Sequence, residues 1–345
     1  MSYSRSLSRK RREFANPAVT PATTYAGVHA APFVAPALKL ADTLQKGFVR
    51  QIDGIQNKAV ISSLSSTGVI QAANCDWNDN NSLTLGERVL TLSDLAVMET
   101  LCRGTLLPTW AGMTGARETM TAGSPEFVNF SMATVAGYAA QGVEDAIWKG
   151  ADLTGTASDI VGFLSTTGTF DNAGYNNSII ESAGVHQKTV TAAGFAVANI
   201  IQTDGAFHEV YNDALASCPA VLNRPDIAFY CSPKTAGNYM TALAISGSFQ
   251  GVNMQSTNQA FDTLQYLGIP IHVCPGFPDD GLLLTYEENL VVGSNLNTDY
   301  TTAQYIDAWQ YDGSDNVKIA MRFGLGMQVG VPTDVVFGAY AAIFA

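Results

Sequence analysis

Residues 124–150, SPEFVNFSMATVAGYAAQGVEDAIWKG, predict one long α-helix from Pro125 to Lys149. Ser124 suits the N-cap, proline suits the first helical position, and Gly150 stands where a helix C-terminus favours glycine. Apolar residues recur on one face at helical spacing, and we expect that face to be buried. Its members are Met132, Val135, Ala139, Val143, Ala146 and Ile147.

Two glycines interrupt this helix. Gly137 and Gly142 each lower helix propensity by roughly 1 kcal/mol relative to alanine. We therefore expect both to lie where another element packs closely against the helix.

Before the helix, the sequence predicts an arm and a hairpin. Residues 13–36 are predicted to be extended because four prolines are too closely spaced for a helix: Pro17, Pro21, Pro32 and Pro36. A short helix is expected from Pro36 to Gly47. Strand-like stretches follow at 58–64 and 88–101, with a polar segment between them, which together predict a long hairpin.

After the helix, residues 151–190 are rich in Gly, Ser, Thr and Asn and predict a loop. Helices and strands then alternate, which predicts an α/β region. Its elements are a helix capped by Asp204 and ended by Pro219, strand 227–231, a helix from Ser232 through Leu243, and strand 269–274. The last part of the chain returns to strands, at 282–286, 304–310, 317–323 and 327–331.

The composition favours a protein that buries surface against partners. Hydrophobic residues make up 47% of the chain and charged residues only 14%, which is low for the surface of a monomer. Five cysteines without a CxxC pair suggest neither a disulfide framework nor a zinc site and fit a reducing cytosol. The sequence shows no secretory signal and no apolar stretch of the roughly 18 residues that a membrane span needs.

Charge is unevenly distributed along the chain. The sequence has 18 basic and 30 acidic residues, and its first twelve residues contain five of the basic ones and no acid: Arg5, Arg9, Lys10, Arg11 and Arg12. The remainder therefore has 13 basic against 30 acidic residues, a net charge of −17. An acidic body repels nucleic acid, which argues against a sequence-specific DNA-binding protein and suits the wall of a container.

Three interpretations of this basic tail are open. It contacts DNA, it contacts an acidic neighbouring subunit or scaffold, or it is solvated without a specific partner.

Catalytic motifs are missing from the sequence. The four histidines, His29, His186, His208 and His272, have no metal-ligand spacing. Residues 324–329 contain a GxG that lacks the third glycine of the dinucleotide fingerprint, and no helix is predicted after it. Neither a GxSxG elbow nor a Walker loop occurs. We therefore predict no catalytic residues and no cofactor.

One pattern resembles a calcium-binding loop. Asp76, Asn78, Asn80 and Glu87 occupy positions 1, 3, 5 and 12 of that template, where oxygen ligands are needed. Asn81 replaces the template's glycine, and the flanks are predicted strands instead of helices. A plain polar loop is the favoured interpretation, so we predict no metal site.

The order of these elements, together with four carboxy-terminal motifs, resembles the major capsid proteins of tailed bacteriophages, whose fold is named after the Hong Kong bacteriophage. The motifs are LGIPI (267–271), PGFP (275–278), LVVGSNL (290–296) and GSDNVK (313–318). Residues 143–150, VEDAIWKG, are similar to the end of that family's spine helix. The segments NCDW (74–77) and ETLC (99–102) are similar to its variants in phages of Bacteroidetes-type hosts.

The resemblance implies an α+β capsid fold with defined parts. These are an N-arm (1–54), an E-loop hairpin (55–107), a peripheral domain (108–190) with the spine helix (125–149), an α/β axial domain (191–294) and closing peripheral strands (295–345).

The resemblance also implies a function and partners. The chain would assemble in the host cytoplasm, as hexamers and pentamers, into the icosahedral shell of a virion. It would enclose double-stranded DNA without sequence specificity and without catalysis, and it would meet scaffold, portal and decoration proteins but no membrane.

Other function classes remain to be separated from this one. An encapsulin-like compartment shares the fold but holds cargo protein. A soluble α/β enzyme would use acids of the α/β region, such as Asp204, Glu209 and Asp213, although these also fit the polar face of a helix. A secreted adhesin or tail component is disfavoured by the α/β region and the lack of a signal.

Overall fold

The computed structural model describes residues 22–26, 41–66, 83–102, 125–150, 162–164, 185–246, 264–296, 301–308, 313–314 and 316–340. The helices in these ranges are α1 (Asp42–Gln45), α2 (Pro125–Lys149, the spine helix), α3 (Ala206–Ser217) and α4 (Pro233–Ile245). The strands are β1 (Ala22–Ala26), β2 (Arg50–Ile52), β3 (Lys58–Ser66), β4 (Leu83–Thr91), β5 (Ser93–Cys102), β6 (His186–Val190), β7 (Ile227–Cys231), β8 (Gln265–Tyr266), β9 (Ile269–Val273), β10 (Gly281–Tyr286), β11 (Leu290–Ser294), β12 (Thr302–Asp307), β13 (Asn316–Val329) and β14 (Val336–Tyr340).

The first sheet is organised around β13, in the order β1-β12-β13-β11-β2, with β5 also paired to β13. β13 alternates in burial, so one face of the strand is apolar: Val317, Ile319, Met321 and Phe323 are buried, whereas Lys318 and Arg322 are exposed. The buried face shares one hydrophobic core with the spine helix. This alternation is what a strand covered on one side requires.

The second sheet, β6-β14-β10-β7-β9-β8, lies between two cores. Along β7, Phe229 and Cys231 belong to the core formed with α3 and α4, whereas Tyr230 belongs to the core of the spine helix. Leu283 and Leu284 of β10 divide in the same way. Because successive side chains of a strand point to opposite faces, a fully apolar strand serves both cores.

Several predicted elements are confirmed. The spine helix spans Pro125–Lys149, as predicted, and Gly150 follows it with φ +74°; Ser124 lies outside the described residues. Strand β7 has the predicted bounds. Helix α4 begins after Ser232, whose hydroxyl accepts a hydrogen bond from the Thr235 amide at 3.2 Å. These elements carry their signals within a few residues, which is why the sequence locates them.

The predicted cap of α3 is wrong. Gly205, and not Asp204, is its N-cap, and no side chain caps the helix. A Cβ atom at position 205 would lie 2.5 Å from the carbonyl oxygens of Asn199 and Ile200. Close packing therefore requires glycine here, and the helix starts one residue later than predicted.

Two strand predictions also need correction. The stretch predicted as one strand at 88–101 is divided at Leu92, whose amide donates to Asn57 O at 3.0 Å; β4 pairs with β3, but β5 pairs with β13. Conversely, β13 runs unbroken through Gly326, where a Cβ atom would lie 2.3 Å from the Thr91 carbonyl oxygen. That glycine permits a close approach and does not end a strand.

Sheet membership differs from the predicted domain boundaries. β11, predicted as axial, pairs with β13 and β2, and β14, predicted as peripheral, pairs with β6 and β10. β6 falls within the stretch predicted as a loop. Long-range pairing decides these memberships, and an apolar run does not specify its partner.

The remaining differences concern helices. In the described part of its range, the short helix predicted from Pro36 to Gly47 covers only Asp42–Gln45, and Gly47 follows it with φ +71°. No atom of the described residues lies within 4 Å of a Cβ built at Gly137 or Gly142, so the expected close packing is not found within the described part of the chain.

Candidate assembly surface

The hairpin of β3 and β4 exposes two apolar pairs on one face, with the exposed pair Ser62 and Glu87 between them. The two nine-residue strands are antiparallel, and directly opposite residues share a face. Val60 lies opposite Val89, and Leu64 lies opposite Leu85. Their exposed fractions are 58% and 49% for the first pair and 67% and 62% for the second. We call this the outer face of the hairpin; Leu83, also exposed, extends it.

The opposite face of the hairpin packs on the body only at its base. Leu90 is fully buried in a small cluster with Ile55 and Val291. A Cβ atom at Gly293 would lie 2.3 Å from Leu90 Cδ2, so glycine lets the leucine sit against β11. Gln328 Nε2 also donates to Val89 O at 2.9 Å. The hairpin is therefore anchored at one end, while its other end is exposed.

A second exposed apolar surface lies beside the spine helix. An open groove of about 480 Å³ separates this helix from β5. Its apolar lining consists of Val97, Leu101, Val135, Tyr138 and Ala139. Tyr138 is 71% exposed although it lies in the middle of a helix that packs on the core.

Two N-terminal segments are attached to the body. Residues 22–26 form β1 and pair antiparallel with β12 at the edge of the first sheet. Residues 41–52, which we call the root segment, lead into the hairpin. Ala41, Thr43 and Val49 of this segment are buried.

Sequence reasoning missed the side chain that holds the root segment. Glu144 of the spine helix is buried, and its Oε2 and Oε1 accept hydrogen bonds from Thr43 N at 2.9 Å and Thr43 Oγ at 2.5 Å. Trp148 Nε1 donates to the same Thr43 Oγ at 2.9 Å. The available signal was spacing: Ala140, Glu144 and Trp148 lie four residues apart and share the buried side of the helix.

The predicted site residues lie in different places. Met132, Val135, Val143 and Ile147 of the spine helix are buried, and Ala139 is half-buried at the groove. Glu87, the last position of the calcium-loop pattern, is exposed within β4, while Asp76, Asn78 and Asn80 lie outside the described residues. The basic tail, Arg5, Arg9, Lys10, Arg11 and Arg12, also lies outside them.

His272 and two buried cysteines are engaged in packing. His272 stacks on Phe48 with ring centroids 3.9 Å apart, and its Nε2 lies 3.1 Å from Glu287 Oε1. Burial raises the pKa of the Cys218 thiol to about 11 and that of Cys231 to about 12. Thiols with such pKa values remain protonated at neutral pH and are poor nucleophiles.

Two negative findings apply to the described residues. They contain no group of three or more His, Cys, Asp or Glu side chains arranged to hold a metal ion. None of their helices is long and apolar enough to cross a membrane.

Comparison with known proteins finds similarity in structure alone. No protein-family model and no curated protein matches the sequence. The fold is similar to the capsid of an empty GTA particle, with a TM-score of 0.53 and 13% identity over 87% of this chain and 90% of that chain. Gordonia phage Cozz gives a TM-score of 0.51 and 17% identity over 86% of both chains. The satellite phage P4 procapsid gives a TM-score of 0.51 and 14% identity over 87% of this chain and 98% of that chain.

These similarities cover nearly the whole chain, and they confirm the predicted α+β class. The chain therefore has the fold of phage capsid subunits, as its order of elements and carboxy-terminal motifs predicted.

Proposed function

We propose that this chain is a structural capsid subunit that assembles as hexamers and pentamers into an icosahedral shell around a phage genome. The observation that carries the proposal is the exposed outer face of the hairpin on a body with the phage-capsid fold. Val60, Leu64, Leu85 and Val89 gain nothing from facing water, but they suit burial against a second copy.

The energy of such burial favours assembly. Burying one exposed valine or leucine side chain contributes about 1.5–3 kcal/mol before the cost of association. Each subunit in a closed shell repeats its contacts with several neighbours, so modest contacts add to a stable whole. The low charge content, 14%, agrees with a surface largely covered by partners.

The charge distribution supports the proposed contents. A body with a net charge of −17 does not bind DNA tightly over most of its surface, so packaged DNA stays free of the wall. Scaffold, portal and decoration proteins are further proposed partners, and the virion, assembled in the host cytoplasm, is the proposed location.

We assign this subunit no catalytic role. The buried thiols have raised pKa values, and the His272–Glu287 pair is occupied by stacking on Phe48. These groups are placed for packing, which supports a structural function.

Electron microscopy of the expressed protein tests the assembly. We expect shells from the parent chain, and a chain that stays monomeric at high concentration with any required scaffold present would contradict the proposal. The absorbance ratio at 260 and 280 nm of shells purified from infected cells then distinguishes a genome container from an encapsulin-like compartment filled with protein.

A matched pair of double variants tests the outer face. Leu64→Asp with Leu85→Asp places two carboxylates on the outer face, and Ser65→Asp with Thr84→Asp places them one position away on the opposite face. Both pairs are directly opposed across the strands and exposed. The repulsion between the two introduced carboxylates is therefore comparable in the two double variants. We expect folded subunits from both but shells only from the second pair. Shells from both would remove the outer face from the assembly interface.

A further inference from the structure

The root segment, residues 41–52, lies in the chain between β1 and the hairpin, which begins at Lys58 shortly after it. β1 and the base of the hairpin each have their own contacts with the body, through β12 and through Leu90. The root segment leads into the hairpin, so a change in its path shifts where the hairpin leaves the body. Where the hairpin reaches a neighbouring subunit, that position affects how subunits fit together.

Three contacts fix the root segment, and each reaches a different part of the body. At its start, Thr43 is held by Glu144 and Trp148 of the spine helix. In its middle, Phe48 stacks on His272, and Tyr230 Oη donates to Phe48 O at 2.8 Å, which attaches the segment to the second sheet. At its end, β2 pairs in parallel with β11 of the first sheet.

The contact at Glu144 is unusual in its chemistry. Glu144 is the one charged residue among the buried residues of the described ranges. Taking a carboxylate out of water costs free energy, and a well-packed apolar side chain would stabilise the helix as much or more. What distinguishes the carboxylate from an apolar side chain is its two acceptors, which give the contact with Thr43 a defined geometry.

The geometry around Glu144 is closely defined. Thr43 N lies in the first turn of α1, where an amide lacks a partner within the helix, so Glu144 caps a helix from outside. A Cβ atom at Gly276 would lie 2.4 Å from the backbone carbonyl oxygen of Glu144, so glycine lets the chain after β9 approach the backbone of the spine helix here. Two acceptors of one carboxylate thus fix both the backbone and the side chain of Thr43.

We propose that Glu144 is a positioning residue that fixes the root segment and thereby sets the direction in which the hairpin leaves the body. The consequence for shell geometry rests on the proposed function. The anchoring of the segment itself does not, since it is a property of the unassembled subunit.

Trypsin cleavage of the unassembled subunit tests the anchoring. Lys46 and Arg50 are exposed within the root segment, but cleavage requires local opening of the backbone. Losing a hydrogen bond to a charged group should make cleavage after these two residues about tenfold faster or more in Glu144→Gln and Thr43→Val. Thr43→Ser keeps the hydroxyl and should behave as the parent.

Two controls separate a local from a global effect. Asp145→Asn removes the neighbouring carboxylate, which is exposed and paired with Lys149 at 3.3 Å, and should leave cleavage unchanged. Cleavage after Lys188 in β6 reports opening of the second sheet and should also stay at the parent rate in every variant. If cleavage after Lys188 rises in parallel with cleavage after Lys46, or if Glu144→Gln matches the parent, the inference is wrong. Should Glu144→Gln fail to fold, the pair of Thr43 variants gives the same comparison.

Electron microscopy then tests the consequence for assembly. We expect Glu144→Gln to give shells of mixed diameter or open sheets, and Asp145→Asn to give shells of the parent's diameter. Uniform parent-like shells from a variant with a loosened root segment would overturn the directional role. If the parent itself makes no shells, the proposed function fails, while the cleavage rates still decide whether Glu144 anchors the segment.

Discussion

Side chains at neighbouring positions of the spine helix differ sharply in burial. Val143 is 3% exposed and packs in the main core, whereas Gln141, two residues earlier, faces solvent. The apolar stripe in the sequence correctly predicts that Val143 is buried. It does not identify Glu144, because a buried carboxylate has the same one-dimensional pattern as a solvated one. Only the folded chain shows that Thr43, far away in sequence, supplies its partners.

Substitution of Val143 tests the buried face. Val143→Asp places an unpaired carboxylate in the main core and should lower the free energy of unfolding by about 3 kcal/mol or more, giving insoluble protein. Gln141→Asp introduces the same group on the exposed face and should change stability by less than about 1 kcal/mol. Thermal unfolding and the soluble fraction after expression measure both. A soluble Val143→Asp with the parent's melting temperature would contradict the assigned face.

At the scale of elements, local signals were sufficient for some predictions and insufficient for others. The cap at Ser232 and the glycine after Lys149 mark helix ends within a few residues, and the structure places those ends accordingly. No local signal at Leu92 predicts the break between β4 and β5. The alternation of apolar and polar residues continues through it, although β4 pairs with β3 and β5 pairs with β13. Alternation in the hairpin shows which residues share a face, and the folded chain shows which of the two faces is exposed.

Glycines in two elements should respond oppositely to alanine. No described atom lies within 4 Å of a Cβ built at Gly142 in the spine helix, so Gly142→Ala should stabilise the protein by about 0.5–1 kcal/mol. Gly326 in β13 faces the Thr91 carbonyl, and Gly326→Ala should destabilise by about 1–3 kcal/mol because backbone must move. Melting temperatures that shift in opposite directions would confirm the two predictions. An unchanged melting temperature for Gly326→Ala would mean that β4 moves away from β13 without a cost in free energy.

The whole molecule combines an acidic body with a basic tail, and the two parts respond differently to salt. Attraction to DNA or to an acidic protein is confined to the tail, since the remainder has a net charge of −17. The described residues form their own cores and sheets, so we expect the body to fold without those five cations.

Neutralising the tail tests its role in assembly. Replacing Arg9, Lys10, Arg11 and Arg12 with glutamine keeps length and polarity but removes four charges. We expect a normally folded subunit whose shells form or package DNA less well, with the defect already present at low ionic strength, where the parent's attraction is strongest. Assembly yield and DNA content across a salt series measure this. Equal values for variant and parent would leave the tail as a solvated segment.

Strand β14 inserts between β6 and β10, two strands that leave the ribosome before it does. While residues 336–340 are still inside the exit tunnel, β10 lacks one of its two neighbours, and its apolar residues Leu282, Leu283 and Leu284 stand at an open sheet edge. Vectorial synthesis thus holds the second sheet unfinished until β14 has emerged. An incomplete nascent chain exposes an unpaired, apolar strand edge, and such an edge either binds chaperones or leads to aggregation. Because the second sheet separates the two cores, neither core closes fully before that last strand arrives.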